Sequence, residues 1–335
     1  CEFLPWQHLL TYLDALLRVY NRYGRRDNKY KARIKILVKA LTPEVFAEKV
    51  AAEWAHTKDG PATLTQQELD RVAGHFSAPA YEQFSGDDAD YLAKREAEKG
   101  FNNWALRNVH AHKVPGYAAV TLSLKPTAVA PGDADDKQLD AIADLADQFS
   151  FGELRVTHQQ NLVLADVRQS DLYELWQACR KHGFATPNIG LLTDIICCPG
   201  GDFCALANAK SIPIAEAIQR TFDDLDYLHD IGDLDLNISG CMNACGHHHV
   251  GHIGVLGVDK KGQEFYQVSI GGNSGRDASI GQILGPSFSA EDMPSVMTKV
   301  IDVYIENRTP EEQFLDTFKR IGMAPFKERV YAAAN

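Results

Sequence analysis

The chain of 335 residues contains seven cysteines: Cys1, Cys179, Cys197, Cys198, Cys204, Cys241 and Cys245. Five of them fall between positions 197 and 245. An odd count with short, clustered spacings is unlike a secreted disulfide framework and reads as metal ligation in a reducing compartment. The core pattern is Cys198-x5-Cys204 followed by Cys241-x3-Cys245. Four thiolates in two short-spaced pairs suit an all-sulfur site, for zinc or for an iron–sulfur cluster. Zinc ribbons use C-x2-C knuckles, a spacing that does not occur here. A [4Fe–4S] cube is bulkier than a zinc ion, so its ligands can sit further apart on loops. Gly200, Gly201, Gly240 and Gly246 would let the backbone approach such a body closely. The spacing favours a cluster and leaves a zinc site and plain structural thiols open. Cys197 lies outside the x5 spacing and reads as a buried thiol. Cys179 reads as a helix core residue, and Cys1 carries no signal. His247, His248 and His249 read as residues near the site rather than as ligands.

The elements that must carry these residues follow from periodicity. Leu9, Leu13, Leu16 and Tyr20 predict a helix over 5–23, stopping at Gly24. Tyr30, Ile34, Leu37 and Leu41 predict a second. Between Arg18 and Lys39 nine basic residues face one acid, Asp27, which reads as either a solvated helix face or an anion site. Thr42-Pro43 opens a helix, and Thr65 to Glu68 forms a capping box before Leu69, Val72 and Phe76. Residues 77–113, polar and weakly periodic, read as a linker or surface excursion. A strand over 117–124 is followed by a turn at Pro131-Gly132-Asp133 and by a helix with Leu139, Ile142, Leu145 and Phe149 on one face. Strands over 153–157 and 161–167 precede a helix from Ser170-Asp171 to His182-Gly183. The order β-α-β-β-α is half of a ferredoxin-like unit. Paired strands over 251–257 and 265–270 and a helix over 292–306 complete the reading.

Composition narrows the class. With 34 basic and 45 acidic residues the formal net charge is −11, which argues against a general nucleic-acid binder. Hydrophobic residues at 45% and charged residues at 24% describe a folded globular chain. No apolar run approaches the ~20 residues of a membrane helix, so neither a nucleic-acid nor a membrane partner is expected. The chain opens on Cys1 rather than Met and is expected to begin inside a longer polypeptide.

Cys198-x5-Cys204 together with Gly240-Cys241-Met242-Asn243-Ala244-Cys245-Gly246 resembles the cluster motif of the sirohaem-dependent sulfite and nitrite reductases. Arg155-Val156-Thr157-His158-Gln159-Gln160-Asn161 resembles that family's R-x-T-x-x-Q-N segment, and Arg25 to Arg33 resembles the basic stretch ahead of it. The resemblance covers nearly the whole chain and is nearest to the sulfite reductase haemoprotein (beta component). It implies a [4Fe–4S] cluster on Cys198, Cys204, Cys241 and Cys245. Cys245 would be the thiolate shared with sirohaem iron and so the residue at the catalytic centre. It further implies cofactor contacts from Arg155, Thr157, Gln160, Asn161 and Asn243, from Asn273 beside Arg276, and from Arg26 and Lys31. A small proton role for His158 is the weaker alternative to turn polarity.

The implied reaction is the six-electron reduction of sulfite to sulfide, with nitrite to ammonia as the alternative, in a cytoplasmic enzyme of assimilatory metabolism. Electrons would come from a flavoprotein or ferredoxin. A proximal thiolate pushes electron density toward the distal ligand. The rival from another class is a non-catalytic iron–sulfur electron-transfer module, which would bind iron and sulfide without sirohaem. The implied fold is α+β: a helical segment over 1–76 ending a preceding haem-binding domain, a linker over 77–113, a ferredoxin-like half domain over 114–185, and an α/β sirohaem and cluster domain over 186–335. Family members have two homologous halves and draw the cationic ring that holds the anion mainly from the first. The chain shows one such half and no distal Lys-x-Lys ahead of Arg25. Alone it is expected to be poorly active.

Overall fold

Residues 3–332 are described by a computed structural model, in which the chain divides into two units, Cys1–Ala80 and Tyr81–Asn335. In the first unit a 3-10 turn, Trp6–His8, leads into helix Leu9–Tyr23, followed by helices Ile34–Leu41, Pro43–Thr57 and Gln66–Ala73. Ala15, Val19, Leu37, Phe46 and Val50 form its core. The first helix turns a different side inward from the one its leucines suggest. Leu9 and Leu13 are exposed, and the inward positions belong to Ala15 and Val19, with Leu16 and Tyr20 packed beside them. Small residues on that side allow close approach to the helix Pro43–Thr57, whose Phe46 and Val50 fill the space. Thr65 accepts a hydrogen bond from the Glu68 N–H at 3.2 Å. The Glu68 carboxylate turns to Arg71 at 2.7 Å, so the reverse half of the capping box is replaced by an ion pair one turn on. Leu69, Val72 and Phe76 are exposed.

The second unit holds two sheets. Strands β1 (Val109–Ala111), β2 (Tyr117–Leu122), β3 (Arg155–Val156) and β4 (Leu162–Arg168) form an antiparallel sheet in the order β1-β2-β4-β3. Helices Asp136–Phe149 and Leu172–His182 share its core, with Ile142, Leu145 and Trp176 packed among Val120, Leu122 and Leu164. Gly183 ends the second helix in the left-handed region, as its sequence position predicts. Leu139 points outward, so the buried stripe of the first helix is one residue narrower than expected. Residues 77–113 do not run as a linker. They hold helices Ala89–Ala97 and Lys99–Asn108 and strand β1, with Phe101 and Trp104 fully buried. Each helix is too short to display a clear period, and its charged residues lie outward and mask the apolar side.

The second sheet has strands β5 (Ile196–Cys197), β6 (Leu236–Ser239), β7 (Ile253–Lys260), β8 (Gln263–Ile270) and β9 (Gln282–Ile283) in that order. β5, β6 and β7 are parallel, and β8 and β9 return antiparallel. Helices Ile212–Thr221 and Leu225–Ile231 make the crossover from β5 to β6, as parallel pairing requires. Helix Met293–Asn307 buries Val296, Val300 and Tyr304 in the same core. Lys99 with Asp226 and Arg107 with Asp233 pair across from the first sheet's helices to this half of the unit. The architecture is α+β. Among the described residues no helix is long and apolar enough to cross a membrane.

Candidate metal centre

Two neighbouring strands end at the two cysteine loops. β5 runs directly into Cys198 and β6 into Gly240-Cys241. The Cys198 N–H donates to the Ile238 carbonyl at 3.1 Å, continuing the β5–β6 ladder to the first cysteine. The Gly240 N–H then donates to Cys198 Sγ at 3.1 Å. The Gly240 carbonyl accepts from Asn208 at 2.8 Å and from Ala209 at 3.1 Å, so the loop after Cys204 is fastened to the loop before Cys241. An added Cβ on Gly240 would stand 2.6 Å from the Ala209 carbonyl and 2.8 Å from Gly200 Cα. Only glycine permits that closeness. The Cys204 N–H donates to Gly200 at 2.9 Å, closing a turn that Gly200 enters with φ 60°.

Beyond Cys241 the chain descends through three successive turns, Ala244 to Cys241, His247 to Ala244 and Val250 to His247, bonded at 2.8–3.1 Å. Ala244 and His247 take positive φ. Gly246 passes under the end of β6 and donates to Ser239 Oγ at 3.1 Å. The loop thereby carries an exposed Cys245 beside a buried Cys241. Cys198 and Cys204 are half-buried, and Ser211 Oγ lies 3.5 Å from Cys198 Sγ.

Among the described residues no three or more His, Cys, Asp or Glu side chains are gathered for a single metal ion. Four thiols stand on two fastened loops, with an N–H aimed at one sulfur and glycines where bulk must be avoided, a donor chemistry suited to a thiolate-bound cluster. Cys197 is different. Burial pushes its thiol well above the ordinary value, and its Sγ donates to the Cys198 carbonyl at 3.2 Å. Burial likewise pushes Cys179 up to about 12, in keeping with a helix core residue. His248 is buried. Both of its ring nitrogens lack a hydrogen-bond partner, and burial lowers its pKa to about 4, so the ring is neutral.

The segment 155–161 forms the β3–β4 turn. Thr157 closes it, with Oγ1 donating to the Asn161 carbonyl at 3.0 Å and accepting from the Asn161 N–H at 3.1 Å. Arg155 is exposed, 3.1 Å from Glu153 and 4.0 Å from the buried Asp166 carboxylate. Tyr81 OH and His112 occupy the other oxygen of Asp166 at 2.6 and 3.1 Å, and this carboxylate lifts Tyr81 to about 12. Gln160 turns its amide onto the Cys197 backbone. Asn161, 1% exposed, turns its amide onto Asp194 and Leu124. Asn243 lies half-buried between Cys241 and Cys245. Asn273 is half-buried in a turn it braces itself, accepting from Gly275 at 2.9 Å and donating to Asp277 at 3.2 Å.

Arg26 and Lys31 lie in the other unit. Arg26 stacks over Tyr20 at 4.7 Å, and Lys31 is exposed ahead of helix Ile34–Leu41. Sequence reasoning misses Lys125 and Asp194, paired at 2.6 Å with both side chains buried. Burial lowers the ammonium's pKa, and Asp194 partly offsets this. The trace in the sequence is a lysine three residues past a mostly apolar strand.

Comparison with known proteins agrees with this geometry. A family profile described as the nitrite and sulphite reductase 4Fe-4S domain matches residues 2–58 and 191–335. A second, the nitrite/sulfite reductase ferredoxin-like half domain, matches 103–182. The chain belongs to the nitrite and sulphite reductase family. Membership carries with it a [4Fe–4S] cluster and sirohaem as cofactors.

Among relatives, a chloroplastic ferredoxin–nitrite reductase of Betula pendula is 26% identical over 309 residues, covering 89% of this chain and 46% of that one. A sulfite reductase [ferredoxin] of Mycolicibacterium paratuberculosis is 24% identical over 324 residues, covering 93% and 51%. The NirA protein of Mycobacterium tuberculosis superposes with a TM-score of 0.64 at 23% identity, over 96% of this chain and 54% of that one. The chain thus spans about half the length of the curated relatives it matches.

Proposed function

We propose that this chain is the cluster-bearing half of a sirohaem and [4Fe–4S] reductase acting on sulfite or nitrite, with Cys198, Cys204, Cys241 and Cys245 as the cluster ligands. The observation that carries the reading is the fastening of the two cysteine loops through Gly240, which gives its N–H to a ligand sulfur and its carbonyl to the opposite loop. The cluster and sirohaem, when bound, supply low-potential electrons one at a time to a small oxyanion. The protein's part is to hold them. Cys245, exposed after its turn, is the proposed shared thiolate. Arg155, Asn243 and Asn273 are the proposed partners of the sirohaem carboxylates, cations and amides being the groups that satisfy carboxylates, while Thr157 gives its one hydroxyl hydrogen to the Asn161 carbonyl and serves the turn. Clustered cysteines of this spacing suit a reducing compartment such as the cytoplasm.

Sulfite is the first substrate to assay and nitrite the second, since relatives of both names match at similar identity. A ferredoxin is the proposed donor, the printed names of those relatives pointing to it, with a flavoprotein as the alternative.

Anaerobic loading with iron and sulfide tests the reading. About four of each per chain, with a reduced-state EPR signal lost in Cys204→Ser, is the expected result. One zinc per chain and no EPR signal would overturn it. Loss of the haem–cluster coupling in Cys245→Ser, with the uncoupled cluster retained, identifies the shared thiolate. Coupling that survives this substitution removes that role.

A further inference from the structure

We propose that Gln160 is a positioning residue for the first cluster ligand, holding the backbone of Cys197 in register so that Cys198 leaves β5 in the direction the site needs. The proposal rests on the cluster reading of the four cysteines and reassigns a residue that family resemblance places on the cofactor.

β5 is an edge strand. On its inner side the Cys198 N–H reaches Ile238 of β6, so by the alternation of a strand the N–H and carbonyl of Cys197 face the open side. Gln160 fills that side. Its Oε1 accepts from the Cys197 N–H at 2.7 Å and its Nε2 donates to the Cys197 carbonyl at 2.8 Å. One carboxamide thus makes the pair of bonds a neighbouring strand would make, at the residue directly before Cys198.

The hold is only as firm as Gln160 itself, and the chain fixes it from three sides. Its backbone is left-handed, with φ 58°, within the turn that Thr157 closes. Gly132 packs against it, where an added Cβ would stand 2.8 Å from Gln160 Cβ. The buried Lys125 ammonium donates to the carbonyl of Gln159 and to Asp194 Oδ1, both at 2.6 Å. Asp194 Oδ1 also takes the Asn161 amide at 2.9 Å, and its Oδ2 takes the Gly190 N–H at 3.0 Å. Both neighbours of Gln160 are therefore tied to one buried ion pair. Removing a partner from such a pair is severe, so Lys125 and Asp194 serve the same positioning at one remove.

Two readouts on the full chain test this, one of them independent of any cofactor. In metal-free protein, hydrogen exchange of residues 195–199 is compared among wild type, Gln160→Ala and Gln160→Glu. The second variant keeps the acceptor and the length and loses the donor to the Cys197 carbonyl. Asp135→Ala, which removes an exposed helix cap elsewhere in the unit, is the control for general loss of stability. Exchange at Cys197 is expected to rise about ten-fold or more in Gln160→Ala, which loses the acceptor of its N–H, to rise less in Gln160→Glu, and not to change in the control. In iron- and sulfide-loaded protein, bleaching by a chelator is expected to be about ten-fold faster in the same variants, with an altered EPR line shape. Unchanged exchange overturns the hold. Faster exchange with wild-type bleaching and EPR overturns the link to Cys198 and leaves a merely structural contact. A wild type that loads no cluster while exchange responds as expected removes the cluster reading instead, and the exchange result tells the two failures apart.

Discussion

At Gly246 a side chain has nowhere to go: an added Cβ would stand 2.0 Å from the Ile238 carbonyl oxygen. The obstacle is backbone in the middle of a sheet and cannot rotate away. Gly246→Ala is expected to cost about 3 kcal/mol, read from denaturant titration. Two residues on, His248 gives a pH dependence. Its pKa falls from 6.5 unfolded to about 4 folded because burial disfavours the imidazolium. Between those values the unfolded chain binds a proton that the folded chain does not. Stability from this ring is therefore complete above pH 6.5 and declines toward pH 4, by up to about 3 kcal/mol. His248→Phe should flatten that slope, and an unchanged slope would assign it to other groups. At this scale the sequence discloses residues whose meaning is local. The x5 and x3 cysteine spacings and the glycines beside them are legible because each loop is a short stretch of chain. Lys125 and Asp194 are not, since they are 69 residues apart and neither neighbourhood looks unusual.

Helix Asp136–Phe149 carries the first ferredoxin-like crossover. It starts on a reciprocal cap, with Asp135 accepting from the Gln138 N–H at 2.7 Å and Gln138 accepting from the Asp135 N–H at 3.0 Å. Gln138 also donates to the carbonyl of His182 at the end of the other crossover helix, at 3.1 Å, so one side chain fixes the start of one element to the end of the next. Asp135→Ala is expected to cost about 1 kcal/mol, seen as a lower melting temperature with no change at the cysteine loops. Elements of this length, with caps and clean alternation, could be read before folding. Residues 117–122, 162–168, 172–182 and 293–307 emerge close to where their patterns put them. The short helices at 89–97 and 99–108 could not be, because their inward residues are fixed by tertiary partners such as Trp176, whose ring lies 5.4 Å from that of Phe101.

The whole molecule consists of two units with separate cores, and the four cysteines of the site all lie in the larger one. Calorimetry is expected to show two transitions, because units with their own cores need not unfold together. Cluster loading should raise only the one belonging to Tyr81–Asn335, since a ligand stabilises the state that binds it. A single transition that shifts as a whole on loading would show that the two units unfold as one. The family became legible at this scale because three motifs occur in a fixed order along the chain. The substrate did not, since a choice between two small oxyanions depends on a few pocket residues whose types have no distinctive spacing.

The parallel pairing of β5 with β6 has a further consequence, in time rather than in space. Residues 196–197 pair with residues 237–238 across a loop of some forty residues that holds two crossover helices. Such non-local pairing is slow relative to helix formation. Until it is complete, Gly240 cannot face Cys198 and the two cysteine loops are strangers. Iron and sulfide present from the start of refolding are therefore expected to leave the folding rate unchanged, and a rate that rises with them would show the cluster guiding the fold. On that timing, thiols that pair late would have to stay reduced until iron and sulfide reach them.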